Sequence, residues 1–121
     1  MIDFHTHTLF SDGELLPSEL VRRAEVKGYS VIAITDHADA SNIDFVIPRI
    51  VNVAGELNMC NRIKVIPGVE LTHCPPEHIK RLTQEARRLG ARLVVVHGET
   101  PIEPVIETLF ATIWSEADAI Q

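Results

Sequence analysis

Four short apolar runs, rich in β-branched residues, recur along the chain and constrain its fold more than any other feature. They cover residues 1–4, 30–35, 64–69 and 92–96. The runs are nearly continuous instead of alternating apolar with polar residues, which is typical of strands that are buried on both faces. Because such strands belong mainly to parallel sheets, the runs predict a parallel sheet.

Segments with a helical pattern separate these runs. The candidate helices are residues 15–28, 44–61, 76–90 and, more weakly, 102–114, and residues 117–121 resemble the beginning of another strand. Pro17 suits an early helical position and Gly28 a helix stop, whereas Pro48 predicts a late start for the second helix. Strand alternating with helix predicts an α/β fold of about four βα units plus the start of a fifth strand.

Each apolar run is followed at once by a residue that can bind a metal ion. The carboxyl ends of parallel strands meet on one face, which carries the active site in βα barrels. In an extended segment, residues two apart point to the same side, so His5 and His7 can aim at one point. Imidazoles and carboxylates that converge in this way suit a divalent transition metal. The candidate metal ligands are His5, His7, Asp12, His37, Glu70 and His97.

Length and composition limit the class of protein. The 121 residues make one domain at most, and a complete βα barrel takes roughly 200 residues or more. The net charge of −6 argues against nucleic acid as the main partner. Cys60 and Cys74 form no evident disulfide framework, and the start of the chain has no signal-peptide pattern. No apolar stretch is long enough to span a bilayer. We therefore expect a cytoplasmic protein with no membrane partner.

Four motifs in succession resemble those of the PHP (polymerase and histidinol phosphatase) family. They are His-x-His-x-x-x-Ser-Asp-Gly at 5–13, Thr-Asp-His at 35–37, Gly-Val-Glu at 68–70 and Val-His-Gly-Glu at 96–99. The resemblance covers the whole chain and is strongest to stand-alone, histidinol-phosphatase-like members. It implies a distorted (β/α)7, TIM-like barrel, of which residues 1–121 would form the N-terminal portion. It also implies phosphoester hydrolysis and a cluster of up to three divalent metal ions.

The same resemblance distributes the six candidate ligands among three ions. His5, His7 and Glu70 match the ligands of one ion. Glu70 would also bridge to a second ion that His97 holds, while Asp12 and His37 match ligands of a third. In the family, each set takes a further ligand from later in the chain, namely a histidine after the fifth strand or an Asp-x-His near the last. None of these is present here, so we expect a truncated domain that is a weak catalyst by itself.

The implied function is a metal-dependent phosphoesterase that hydrolyses a small phosphomonoester, similar to histidinol phosphate, with a metal-activated water. The ligand types suit zinc, manganese or iron, among which sequence does not choose. One alternative is a non-catalytic metal-binding fragment that needs another chain to complete the barrel, and another is a PHP-type nuclease. Open strand edges in a truncated barrel also predict self-association.

Two further residues near the predicted site have more than one interpretation. Asp36 either orients a ligand imidazole from behind or caps the turn that follows it. His73, three residues after Glu70, either contacts the substrate phosphate or is an ordinary loop residue. His78 lies near the start of a helix and is expected on the solvated surface.

Overall fold

The structure is a computed structural model that describes residues 1–97, which form five strands and three helices. In chain order they are β1 (Ile2–Thr6), α1 (Pro17–Val26), β2 (Val31–Ile34), β3 (His37–Ala38), α2 (Ile43–Cys60), β4 (Lys64–Leu71), α3 (Pro76–Arg88) and β5 (Leu93–Val96). The predicted helix 102–114 and the predicted strand start 117–121 lie outside the described residues.

All of the strand pairs in this part of the chain are parallel. β1 pairs with β2, and β4 pairs with β2 through its first half and with β3 through its second half. β5 lies along the other edge of β4. The run predicted at 30–35 is therefore extended by β3 beyond a break at Thr35 and Asp36. The predicted parallel α/β architecture is confirmed.

Two apolar clusters hold the helices against one face of the sheet. One joins α1 and α2 to β2 and β4, with Val21, Ile32 and Ile50 among its buried members. The other joins α2 and α3 to β4 and β5, with Leu82 and Val94 among its members. The helices form because their apolar residues recur at helical spacing and bury one stripe on this face.

The opposite face of the sheet carries a smaller apolar cluster. Its buried members are Ala33, Ile66 and Leu93, and two half-buried valines from β2 and β5 pack against them. Alternation along a strand places Gly68 and Glu70 on the same side as Ile66. This face therefore leads toward the carboxyl ends of the strands, where the predicted ligands lie.

Helix α2 departs from the sequence-based expectation at its start. It begins at Ile43 and contains Pro48 as its sixth residue, so the late start predicted from the proline is wrong. Ile43, Val46 and Ile47 are all buried in this first part of the helix. Their burial offsets the hydrogen bond that Pro48 cannot donate to the carbonyl of Asp44.

β1 has one paired edge among the described residues, the edge that faces β2. Its other edge is unpaired among these residues. Met1, just before the strand, and Ile2 and Phe4 within it are large apolar residues that are exposed. Self-association through this edge stays a prediction. In residues 1–97, none of the helices combines the length and the apolar character that crossing a membrane requires.

Replacing the proline inside α2 should stabilise the protein. Pro48→Ala restores an amide that can bond within the helix and removes the ring's clash with the preceding turn, so we expect the free energy of unfolding to rise by about 1–3 kcal/mol. Urea denaturation measures this change. Pro76→Ala is the matched control, because Pro76 occupies the first turn of α3, where its missing amide costs nothing. A loss of stability in Pro48→Ala would contradict the argument.

Candidate metal centre

A β-bulge in β1 determines where His5, within the strand, and His7, just after it, point. Ile2 and Asp3 lie opposite Val31 and Ile32, but Thr6 lies opposite Ile34, so three steps along β1 match two along β2. The amide of His5 donates to Oδ1 of Asp3 at 3.0 Å within this irregular segment. A bulge of this kind reverses which side chains face each side of the sheet. Both His5 and His7 consequently lie on the side of Glu70.

The first group of candidate ligands converges on one carboxylate oxygen. Nε2 of His5 lies 2.6 Å from Oε1 of Glu70, and Nε2 of His7 lies 2.7 Å from the same oxygen. Glu70 is in β4 between two neighbouring strands and its side chain is 4% exposed, whereas that of His5 is 50% exposed. The carboxylate therefore forms the floor of the group, and His5 forms its open rim.

The pKa of Glu70 reflects two opposing influences. Burial would raise this pKa, but hydrogen bonds from His5 and His7 and the charges of His5 and His37 lower it by more. The net result is a pKa below the usual value of a glutamate. Glu70 is thus held as an anion, the form that binds a cation.

A second group shares His7 with the first. Nδ1 of His7 lies 2.7 Å from Oδ1 of Asp12, and Nε2 of His37 lies 3.2 Å from Oδ2 of the same carboxylate. Nδ1 of His37 contacts the hydroxyl of Thr72 at 2.5 Å and lies 3.7 Å from Oε1 of Glu70. His7 and His37 therefore join two sets of possible ligands into one continuous cluster.

The sixth predicted ligand, His97, lies at the edge of this cluster. It directly follows β5, and its amide donates to the carbonyl of Leu71 at 2.9 Å. Its ring centroid is 6.0 Å from that of His37. Among the described residues, the two compact ligand groups are His5, His7 and Glu70, and His7, Asp12 and His37. The structure thus brings five of the predicted ligands together and places His97 beside them; their roles as ligands stay a prediction.

Asp36 makes contacts among the described residues that the sequence did not predict. Its carboxylate is fully buried and accepts hydrogen bonds from the amide of Thr8 at 2.6 Å, the hydroxyl of Thr8 at 2.7 Å and the hydroxyl of Ser11 at 2.6 Å. It therefore holds the loop that joins His7 to Asp12, and a role in orienting a ligand imidazole stays a prediction. Sequence reasoning missed Thr8, whose only signal is its place between two candidate ligands.

Gly13 allows this loop to fold back on itself. The carbonyl of Thr8 accepts from the amides of Ser11 and Gly13 at 3.1 and 2.9 Å. A Cβ atom at residue 13 would lie 2.4 Å from the carbonyl oxygen of His7. Any side chain there would displace the backbone that carries the histidine.

The donor set fits a divalent transition metal. It offers three imidazoles and two carboxylates, and neither group contains a cysteine. Two ligands of one tetrahedral ion at about 2.0–2.1 Å are separated by roughly 3.3 Å. The nitrogen–oxygen distances of 2.6 and 2.7 Å at Glu70 are shorter than this, so small side-chain rotations suffice to admit an ion.

Comparison with known proteins identifies the family. The PHP domain model matches residues 3–111, and the chain belongs to this family, as the motifs predicted. An uncharacterized protein of Methanocaldococcus jannaschii is 52% identical over 121 residues, which are 98% of this chain and 56% of that relative. The chain therefore spans little more than half the length of that protein.

Two further similarities involve proteins with stated activities. The 5′-3′ exoribonuclease Rnm of Salmonella typhimurium is 39% identical over 95 residues, which are 78% of this chain and 28% of the exoribonuclease. The structure of histidinol phosphate phosphatase from Lactococcus lactis, in complex with zinc, L-histidinol and phosphate, matches with a TM-score of 0.62 and 24% identity. That match covers 83% of this chain and 41% of the phosphatase. It confirms the predicted fold, an open parallel sheet that corresponds to part of a PHP barrel.

Removing the buried carboxylate of Asp36 should destabilise the loop between His7 and Asp12. Asp36→Ala leaves an amide and two hydroxyls without their acceptor, so we expect the free energy of unfolding to fall by about 3 kcal/mol. Ser11→Ala removes one of these hydrogen bonds and should cost about 1 kcal/mol. Urea denaturation of metal-free protein compares the two variants. Equal losses of unfolding free energy in the two variants would show that the hydrogen bonds of Thr8 to Asp36 contribute nothing to stability.

Proposed function

We propose that this chain carries the metal centre of a phosphoesterase that acts on a small phosphomonoester. The observation that carries the proposal is the convergence of His5 and His7 on Oε1 of Glu70, next to a second group that shares His7. Adjacent ligand groups of this kind suit the two-metal sites that hydrolyse phosphate esters. Membership of the PHP domain family supports the same chemistry.

The residues of the two ligand groups would have different roles in such a site. Glu70 supplies a fixed negative charge at the buried floor, and Nε2 of His5 and Nε2 of His7 complete the first group. When Nε2 of His7 faces a cation, its Nδ1–H donates to Asp12 and fixes the orientation of the ring. His7 then serves the first group alone, and Asp12 and His37 remain as the ligands of the second group. A bound divalent ion would lower the pKa of a water molecule and offset the charge on phosphate oxygens. The exposed side of His5 leaves room for a substrate to approach.

The choice of a small substrate rests on charge and on similarity of fold. The net charge of −6 disfavours the close approach of a long polyanion. The fold is similar to that of an enzyme whose structure contains L-histidinol and phosphate. A histidinol-phosphate-like monoester is therefore our first candidate, with zinc, manganese or iron as the metal.

A PHP-type nuclease is the second candidate. Its support is the 39% identity with a 5′-3′ exoribonuclease over most of this chain. Phosphomonoester and phosphodiester hydrolysis both need polarisation of the phosphate, so the metal ligands alone do not distinguish a phosphatase from a nuclease. A metal-binding module without catalysis is the remaining alternative, and turnover measurements distinguish it.

Loss of the negative charge at the floor of the first group should weaken metal binding. Glu70→Gln keeps the size of the side chain but removes its charge, and we expect at least a tenfold loss of affinity, about 1.4 kcal/mol. Titration of metal-stripped protein with Zn²⁺ or Mn²⁺ measures this loss. His78→Ala is the control, because His78 is exposed on α3 and should bind no ion. Equal effects of the two substitutions would refute the assignment of Glu70.

Substrate assays should separate the candidate activities. We expect release of phosphate from p-nitrophenyl phosphate and histidinol phosphate that requires added Mn²⁺ or Zn²⁺ and falls at least about 100-fold in Glu70→Gln, because loss of a ligand removes metal-dependent catalysis. A 5′-phosphorylated oligoribonucleotide is the competing substrate. Shortening of the oligoribonucleotide without monoester hydrolysis would favour the nuclease. Metal binding without turnover of any of the three would favour the non-catalytic module.

A further inference from the structure

Five histidine rings form a continuous row at the carboxyl ends of the strands. Successive centroids are 5.1, 4.2, 6.0 and 5.4 Å apart, in the order His5, His7, His37, His97 and His73. The first three rings belong to the ligand groups with Glu70 and Asp12. The last two rings, His97 and His73, extend the row beyond those groups.

The backbone at His73 is held in an unfavourable conformation. Its φ of 54° makes it the only residue other than glycine with a positive φ among residues 1–97. This left-handed conformation is sterically costly for a residue with a Cβ atom and persists mainly where function or surrounding structure requires it. The turn that contains it leads from β4 to α3 and leaves the His73 ring next to that of His97.

His97 provides a second, independent observation beside this pair. Its Nδ1 atom is buried and has no hydrogen-bond partner among the described residues. Buried polar atoms are nearly always satisfied, and an exception indicates a water, an ion or a functional role. The unpartnered nitrogen belongs to the ring that His73 contacts.

We propose that His73 and His97 together bind a divalent cation at this end of the row, with His73 as a metal ligand. The inference rests on the metal centre proposed above and adds a residue to it. Imidazole nitrogens are common ligands of zinc and related ions. Two neutral imidazoles leave the charge of the cation uncompensated, which favours an anionic further ligand such as a phosphate group. This end of the row would then be the part of the site that binds phosphate.

Removing the His73 ring while keeping its backbone conformation tests the proposal. Metal-stripped wild type, His73→Asn and His78→Asn are titrated with Zn²⁺ by calorimetry. We expect His73→Asn to lose one equivalent of Zn²⁺ or to bind it at least tenfold more weakly, and His78→Asn to match wild type. Asparagine adopts left-handed backbone more readily than histidine, so the melting temperature of metal-free His73→Asn should be unchanged or higher. A purely structural role for His73 predicts a lower melting temperature instead.

Two further measurements make the outcome unambiguous. His73→Gly tolerates the same φ and should show the same loss of Zn²⁺. Imidazole ¹⁵N resonances of His73 and His97 should shift together when Zn²⁺ is added. Unchanged stoichiometry and affinity in both His73 variants would overturn this inference. If Glu70→Gln still loses Zn²⁺ in that case, the proposed metal centre stands without His73; if wild type binds no Zn²⁺, both are wrong.

Discussion

The buried carboxylate of Asp36 joins the segments that carry the candidate ligands. Its side chain accepts from Thr8 and Ser11 in the loop after β1, and its backbone carbonyl accepts from the amide of Glu70 in β4 at 2.9 Å. The next residue along the chain is His37. Since three donors satisfy the carboxylate, its burial does not leave an unpaired polar group. One residue therefore sets the relative positions of the loop with His7, the start of β3, and Glu70.

The parallel α/β architecture and the shared edge at which the candidate ligands lie could be predicted, because both follow from local patterns. Nearly continuous β-branched runs indicate buried parallel strands, and the carboxyl ends of such strands share one face. The contacts of Asp36 could not be predicted, because Thr8 and Ser11 are 28 and 25 residues away in sequence. The same limit applies to Pro48, whose helix is held by tertiary packing that overrides the local preference. The bulge in β1 likewise depends on pairing with β2.

Hydrogen bonds join the same atoms that would bind an ion. Glu70 is an anion that can only accept, so Nε2 of His5 and Nε2 of His7 donate to it. A metal needs these nitrogens without their hydrogens, so each ring must lose the hydrogen at Nε2 or carry it at Nδ1 when an ion binds. An ion at this position would replace the hydrogen bonds between these imidazoles and the carboxylate.

The backbone beside Glu70 packs closely against its neighbours. Gly68 lies two residues before Glu70 on the same side, and a Cβ atom at this position would be 2.7 Å from the carbonyl oxygen of Leu93 and 2.9 Å from Cγ2 of Thr35. This close packing contributes to the burial of the Glu70 side chain, which is 4% exposed. Desolvation from this side pushes the pKa of Glu70 upward, and only the imidazoles on the open side reverse that effect. The charge of Glu70 thus depends on its cationic or hydrogen-bonding partners at the rim, a role that a bound metal ion would fill more strongly than an imidazole.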